Sequence, residues 1–386
     1  MATKHIVKFY PVGHGDTSQI VLHNGRRILF DFNHSSASED SQRPEINLKT
    51  ELKAELTTAG RNYFDVVAFT HADLDHIQGS TEFFELQHAE KYQGEGRIKI
   101  EELWMPAAML VQTADKDSQM DEFAILLREG RHRLLEGKGI RVFSQPETLM
   151  EWLRPKLRDR GESENARDHL FVDAGTIVEG FTLVDDKVEF FCHSPFIKHC
   201  DEGDIIRNDA SLVFNVRLDA DGEIFDYLEV GDATWESLTD IVDTTKFHGN
   251  MDRLEWDIYN IPHHCSYLAL SDEKGEKKTV PKPQVQEILD RGRKGAYIVS
   301  CSDPCTDIKE SYQQVQPPHI QARNGYKAGL DAVGGRAFLV TMEEPNANKP
   351  EPIVFELTSS GNAWIKSGAV GAVGAAVSSP SRAGGQ

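Results

Sequence analysis

The stretch Phe64-Asp65-Val66-Val67-Ala68-Phe69-Thr70-His71-Ala72-Asp73-Leu74-Asp75-His76-Ile77-Gln78-Gly79 decides how this chain is read. Its first half is a short apolar run, which predicts a buried strand. Its second half packs two histidines and two aspartates into six residues, and the pattern predicts a loop turning into a helix near Gly79 and Ser80. His71 and Asp73 are two apart, so an extended loop points both side chains the same way. Asp75 and His76 follow where the chain bends and can reach a second ion. Packing alone does not ask for four metal-competent side chains on one loop. A loop held by a rigid scaffold is where binding chemistry usually sits.

Length and composition frame this stretch. The chain has 386 residues, of which 39% are hydrophobic, enough for a sizeable core. The formal net charge of -20 argues against a wholly basic, nucleic-acid-coating protein. It leaves a nuclease open, because divalent cations bring their own positive charge into a site. The five cysteines, Cys192, Cys200, Cys265, Cys301 and Cys305, are odd in number and include no C-x-x-C. They indicate neither a disulfide framework nor a zinc ribbon, and reduced thiols in the cytoplasm are expected. No apolar run is long enough for a membrane span.

Outward from the central stretch, other predicted strands also end in ionisable residues. Arg27 to Phe32 carries Asp31. Val188 to Cys192 precedes His193. Phe225 to Val230 ends in Gly231-Asp232, where the glycine permits a tight turn. Ile258 to Ile261 ends in Pro262-His263-His264. Strand ends that recur in this way converge on one edge of a sheet sandwich, where Asp232 can lie between two ions. Helical spacing covers Leu48 to Thr58 and Asp117 to Leu135. Arg154 to Arg167 is charge-rich and reads as a solvated segment. The lysine-rich Asp272 to Pro283 reads as a mobile loop. Strand runs with interspersed helices imply a layered mixed α/β domain. Residues 1–366 read as one domain with a helical insertion over about 85–185. From Ser367 the chain has too few large apolar residues to order itself, so 367–386 reads as a disordered tail.

The string Thr70-His71-x-Asp73-x-Asp75-His76-x-x-Gly79 resembles the metallo-β-lactamase superfamily signature, in the variant with Asp in place of the second His. Val12-Gly13-His14-Gly15-Asp16 resembles the family's Gly-Gln-Gly-Asp loop, and Leu29-Phe30-Asp31 its first acidic motif. Asn208-Asp209-Ala210-Ser211 resembles an Asn-x-x-Ser motif, Leu228-Glu229-Val230-Gly231-Asp232 the Gly-Asp motif, and Pro262-His263-His264-Cys265-Ser266 the Pro-His-His-Gly-Ser motif. In this order, over about residues 5 to 345, they are similar to the hydrolase domain of competence-type DNA-uptake proteins (the ComEC family) and their stand-alone relatives.

The resemblance implies an αββα sandwich with a dinuclear site and a hydroxide bridging two divalent ions, Zn²⁺ or Mn²⁺. His71, Asp73 and Asp232 would hold one ion. Asp75, His76, Asp232 and either His263 or His264 would hold the other, with Asp75 and His264 as candidate catalytic groups. Asp31 would orient the loop from behind. Asn208, His319 and His14 are the candidate substrate contacts. Three departures accompany these matches. Arg207-Asn208 stands where a third histidine motif is expected, leaving His193 and His199 as candidate substitutes. Cys265 replaces a glycine and is either packed or a thiolate ligand. His14 replaces a glutamine.

The expected activity is metal-dependent phosphodiester hydrolysis, with nucleic acid as the first substrate class. The alternatives are a small-molecule ester, lactone or cyclic-nucleotide hydrolase, a partner-activated effector subunit, and an inactive binding module. A protein partner or a homo-oligomer fits any of these. A nuclease should show a basic groove beside the metals, and a small-molecule enzyme a closed pocket.

Overall fold

The structure, a computed structural model, describes residues 3–94, 96–111, 121–201 and 208–365. The expected tail, Arg207 and the first residues of the Asp117 to Leu135 segment lie outside them. The strands are β1 (Lys4–Phe9), β2 (Ser18–Val21), β3 (Arg27–Phe30), β4 (Tyr63–Ala68), β5 (Lys99–Pro106), β6 (Ile140–Phe143), β7 (Phe171–Val172), β8 (Val188–Ser194), β9 (Val213–Ala220), β10 (Glu223–Glu229), β11 (Trp256–Asn260), β12 (Gly292–Ser300), β13 (Ala337–Val340), β14 (Ile353–Thr358) and β15 (Gly361–Ile365). They form two sheets, in the orders β15-β14-β1-β2-β3-β4-β5-β6-β7 and β13-β12-β11-β10-β9-β8.

Three apolar cores define four layers. Between the sheets, Phe9, Ile28, Phe30, Val66 and Trp104 from the first meet Phe190, Phe214, Tyr227 and Ile258 from the second. Trp104 stands edge-on to Phe143 and Phe190, and its indole N–H donates to Glu102 Oε1 at 2.7 Å. Truncating so large a buried ring costs about 3–5 kcal/mol. On the outer face of the first sheet, Leu29, Val67 and Leu103 pack against Leu48, Leu52 and Leu56 of the helix Leu48–Thr58 and against the helices Asp121–Glu136 and Glu147–Asp159. On the outer face of the second, Leu228, Tyr259 and Ile298 pack against the helices Trp235–Phe247, Pro283–Leu289 and Ile320–Ala332. The arrangement is the αββα sandwich that the motifs imply.

Two expectations are refined. The helices of the 85–185 segment are present, but the segment also supplies β5, β6 and β7, which extend the first sheet in parallel from β4. The charge-rich run is partly an amphipathic helix whose Leu149, Met150, Leu153 and Leu157 are buried. One expectation is corrected. The 272–283 loop is pinned rather than mobile: Thr279 N donates to Gln321 O at 2.9 Å, Lys282 N to Leu270 O at 2.9 Å, and Asn324 Nδ2 to Lys277 O at 2.8 Å.

The topology gathers the chemistry. β3 and β4 run parallel, as do β10, β11 and β12. Their carboxyl ends therefore lie on one edge of each sheet, where ligands of α/β proteins collect. β2 runs antiparallel to β3 with Ser18 opposite Phe30, so the residues preceding β2 reach the same edge. Among the described residues, no helix is long and apolar enough to cross a membrane.

Candidate metal centre

Asp31 is the hub of the site. It follows β3 with φ +55° and is buried. Its Oδ1 accepts from Thr70 N at 2.7 Å, and its Oδ2 accepts from Thr70 Oγ1 at 2.6 Å and from His76 Nδ1 at 2.7 Å. Because the Thr70 hydroxyl donates to Asp31, it accepts from His71 Nδ1, 3.1 Å away. His264 Nδ1 donates to the carbonyl of Cys301 at 2.9 Å. In all three rings Nδ1 is engaged from behind, which sets the ring's orientation and turns Nε2 forward.

Those three Nε2 atoms are buried and have no hydrogen-bond partner, and the same is true of Asp232 Oδ1 and both carboxylate oxygens of Asp16. His71 Nε2 lies 3.7 Å from Asp73 Oδ2 and 3.7 Å from Asp232 Oδ2. His76 Nε2 lies 3.2 Å from Asp232 Oδ1 and 4.0 Å from Asp16 Oδ2. His264 Nε2 lies 3.1 Å from Asp75 Oδ2 and 3.7 Å from Asp232 Oδ2. These atoms converge without aligning as hydrogen bonds. Ligand atoms of a tetrahedral ion with arms near 2.1 Å are about 3.4 Å apart, which is the scale of these separations. Unpartnered buried polar groups are costly unless something else satisfies them. The donor set of imidazole nitrogen and carboxylate oxygen suits a divalent cation.

Asp16, His76, Asp232 and His264 form one group able to hold a cation; His14, Asp75 and His264 form a smaller one. Asp232 also faces His71, whose Nε2 lies 3.7 Å from Asp232 Oδ2. The backbone before it admits only glycine comfortably: Gly231 has φ +49°, and a Cβ there would lie 3.0 Å from Thr70 Cβ.

The electrostatics follow from this crowding. Burial alone would depress His264, but the carboxylates of Asp232 and Asp75 outweigh it and hold the ring up at about 9. Burial likewise opposes charge on His76, and Asp232 and Asp31 raise it well above the usual histidine range. Burial lifts Asp16 to about 6. Asp232 is held well below the carboxylate range because its facing imidazoles outweigh its burial. A field that retains protons on buried imidazoles also attracts a cation.

Most of the sequence-derived candidates meet here. His71, Asp73, Asp75, His76, Asp232 and His264 surround one volume, with Asp31 behind them. His264, rather than His263, carries the nitrogen aimed at the carboxylates; the His263 ring centroid lies 6.2 Å from that of His264. His14 stands at the mouth, with its Nε2 3.8 Å from Asp75 Oδ2 and its ring centroid 4.3 Å from that of His264. Burial and His264 lower it to about 4, so it is neutral at pH 7.

Five further candidates have definite surroundings of their own. His193 bonds Arg253 O and Thr245 Oγ1, and His199 pairs with Asp240, so neither ring supplies a third-motif ligand. His319 accepts from Tyr267 N through Nδ1 and donates to Val315 O through Nε2, which leaves neither nitrogen for a leaving group. Cys265 is packed: it is fully buried, and burial raises its thiol well above the usual range, against a thiolate ligand. Asn208 precedes β9, with its carbonyl accepting from Ser211 N at 3.2 Å. The candidate that the sequence reading missed is Asp16. It closes the Gly-His-Gly-Asp loop before β2, and only the pairing of β2 with β3 brings it to this edge.

The fold and the site together define an αββα protein with a carboxylate-rich candidate centre for divalent ions at the strand ends. No family model and no curated protein matches the chain. Among solved structures it is similar to a diphosphatase of the PhnP family at 11% identity, covering 93% of this chain and 100% of that one, with a TM-score of 0.33. It is also similar to the metallo-β-lactamase GOB-18 from Elizabethkingia meningoseptica at 13% identity, covering 73% and 86%, with a TM-score of 0.32. Both likenesses are remote, and the description of the fold rests on its sheets and cores.

Proposed function

We propose that this chain is a divalent-metal-dependent hydrolase of phosphodiesters, with nucleic acid as its substrate class. The observation that carries this reading is the convergence of three imidazoles on Asp232, each with Nδ1 engaged and Nε2 unpartnered. His71, Asp73 and Asp232 would hold one ion; Asp16, His76, Asp232 and His264 would hold the other. Bound there, divalent cations acidify water and neutralise charge developing on a phosphoryl oxygen. Asp75 lies at the mouth, partly exposed. Its burial opposes ionisation, but the facing imidazole of His264, with Nε2 3.1 Å from Asp75 Oδ2, keeps it below the usual carboxylate range, so it orients water and receives a proton weakly. The neutral His14 ring and Asn208 would contact substrate. The motif resemblance to competence-type hydrolase domains supports nucleic acid.

A second reading, a small phosphoester or carboxylic ester, is supported by the mouth itself. A cavity of about 220 Å³ beside His14 is lined by Asn33, Ser35, Arg43, Glu45 and Asp303, a mixed polar wall without a basic stripe. Two cations of the late lysine-rich loop are engaged, Lys274 with Gln314 O and Lys282 with Asp272. The deciding assay is Mn²⁺- or Zn²⁺-loaded protein against plasmid DNA, single-stranded DNA, RNA and bis-p-nitrophenyl phosphate, with His71→Ala as control. Cleavage of nucleic acid by the wild type and not by the variant is expected. Cleavage of the small ester alone selects the second reading, and no cleavage of any substrate overturns both.

A further inference from the structure

Beneath the candidate centre, the apolar core between the sheets holds a buried polar cluster. Glu229, at the end of β10, is 2% exposed. Among the described residues it has no ion-pair partner. Its Oε2 accepts from the Tyr227 hydroxyl and from Ser18 Oγ at 3.3 Å. Its Oε1 accepts from Asn260 Nδ2 at 3.1 Å and from Gly231 N at 3.4 Å. Asn260 Oδ1 in turn accepts from the Cys301 thiol at 3.5 Å, and the Cys301 carbonyl is the group that orients His264.

Each partner leads to a candidate ligand. Ser18 lies two residues after Asp16 and belongs to the first sheet. Gly231 follows β10 and immediately precedes Asp232, and Asn260 ends β11, the strand that runs into His264; both strands belong to the second sheet. The geometry points to Glu229 as a positioning residue that ties the Asp16, Asp232 and His264 strand ends together across the two sheets at metal-binding separation. This rests on reading the cluster as a metal centre. The physical reason is satisfaction: a carboxylate buried among donors from three strands keeps all its bonds only when those strands hold one relative position. An apolar side chain there would leave the Asn260 amide and the Gly231 N–H without that constraint.

The test is titration of the apo protein with Mn²⁺ and Zn²⁺ by calorimetry, with melting curves of the apo and loaded forms, for wild type, Glu229→Leu, Glu229→Gln and Ser18→Ala. Glu229→Leu is expected to weaken divalent-ion affinity by about 10- to 100-fold, the range found when supports behind metal ligands are removed. Glu229→Gln keeps the shape and an accepting oxygen, and it is expected to restore most of that affinity. Ser18→Ala removes only the contacts its hydroxyl makes across the sheets, to Glu229 and to the Tyr227 hydroxyl, both at 3.3 Å. It is expected to shrink the melting-point increase on metal addition while leaving the apo melting point near wild type. A folded Glu229→Leu with wild-type affinity overturns the assignment. Should Glu229→Leu not fold, wild-type metal affinity in Ser18→Ala overturns it instead. Absence of ion binding in the wild type would overturn the metal-centre reading itself, a separate outcome.

Discussion

Two buried histidines at strand ends have opposite meanings. His71 follows β4 and His193 closes β8, and each ring is almost fully buried. His193 has both nitrogens engaged, Nε2 with Arg253 O at 2.9 Å and Nδ1 with Thr245 Oγ1 at 3.3 Å. Among the described residues no carboxylate lies within ion-pair distance of it. His71 has Nδ1 engaged and Nε2 facing two carboxylates without bonding to either. The feature that separates them is the convergence of an unpartnered nitrogen with acidic oxygens, and burial does not distinguish the two. A residue of the first kind stabilises the fold; one of the second kind is arranged to bind something.

The largest expected effect breaks this pair apart. His71→Ala or Asp73→Ala should abolish metal-dependent hydrolysis while leaving the far-ultraviolet circular dichroism spectrum unchanged. His193→Gln should bind the same number of ions as wild type but lose about 1–3 kcal/mol of stability, because a buried hydrogen-bonded ring is removed. Ion counting by mass spectrometry and denaturant melts measure both. Equal ion loss in the two variants would erase the distinction.

Next in size is Asp16→Asn. If the two bare oxygens of Asp16 belong to the centre, the neutral amide should weaken divalent-ion affinity by at least about 10-fold. Wild-type affinity in this variant would return Asp16 to the status of a buried loop residue.

Much of this centre was legible in the sequence. His71, Asp73, Asp75 and His76 sit within six residues after an apolar run, and Asp31 and Asp232 each end a run of their own. What was not legible depends on distance through space. Asp16 precedes its strand, so a rule that looks at carboxyl ends passes it by. Only the antiparallel pairing of β2 with β3 brings it to the same edge. The choice between His263 and His264 depends on two consecutive left-handed residues, φ +53° and +50°, which no spacing reveals. His193 and His319 were raised as candidates by position, and only their hydrogen bonds exclude them. The same limit applied to β6 and β7: short strands among helices read as an insertion until their parallel register is seen.

The pH dependence of stability should sharpen the contrast further. Burial lowers His193 to about 4. An unfolded chain protonates this ring near 6.5, so between there and about 4 the unfolded state binds the extra proton. Stability therefore falls as pH falls through this window, by at most about 3 kcal/mol from this one group. His193→Gln cannot take up that proton, so the stability difference between wild type and variant should shrink from pH 7 to pH 4. Chemical denaturation of both proteins across that range measures it. A difference independent of pH would mean that the ring is solvated or already charged in the fold.

The smallest expected effect concerns the backbone that presents His264. His263, His264 and Cys265 are three successive residues with positive φ, and Cys265 has φ +65°. The His193 corner has no positive-φ residue from Val188 to Ser194. Left-handed backbone costs a residue with a Cβ about 1–2 kcal/mol, and glycine nothing. Cys265→Gly removes that strain but also removes a buried thiol side chain worth about the same amount. The two should nearly cancel, leaving stability within about 1 kcal/mol of wild type and metal affinity unchanged. Cys265→Val keeps the burial but places a β-branched side chain where φ is positive, a conformation it strongly resists. It should lower both the melting point and the metal affinity, because relaxing that residue turns His264 away from Asp232. A Cys265→Gly protein that is markedly unstable would show that packing dominates here, and that the left-handed turn is a consequence of the loop rather than the means by which it aims His264.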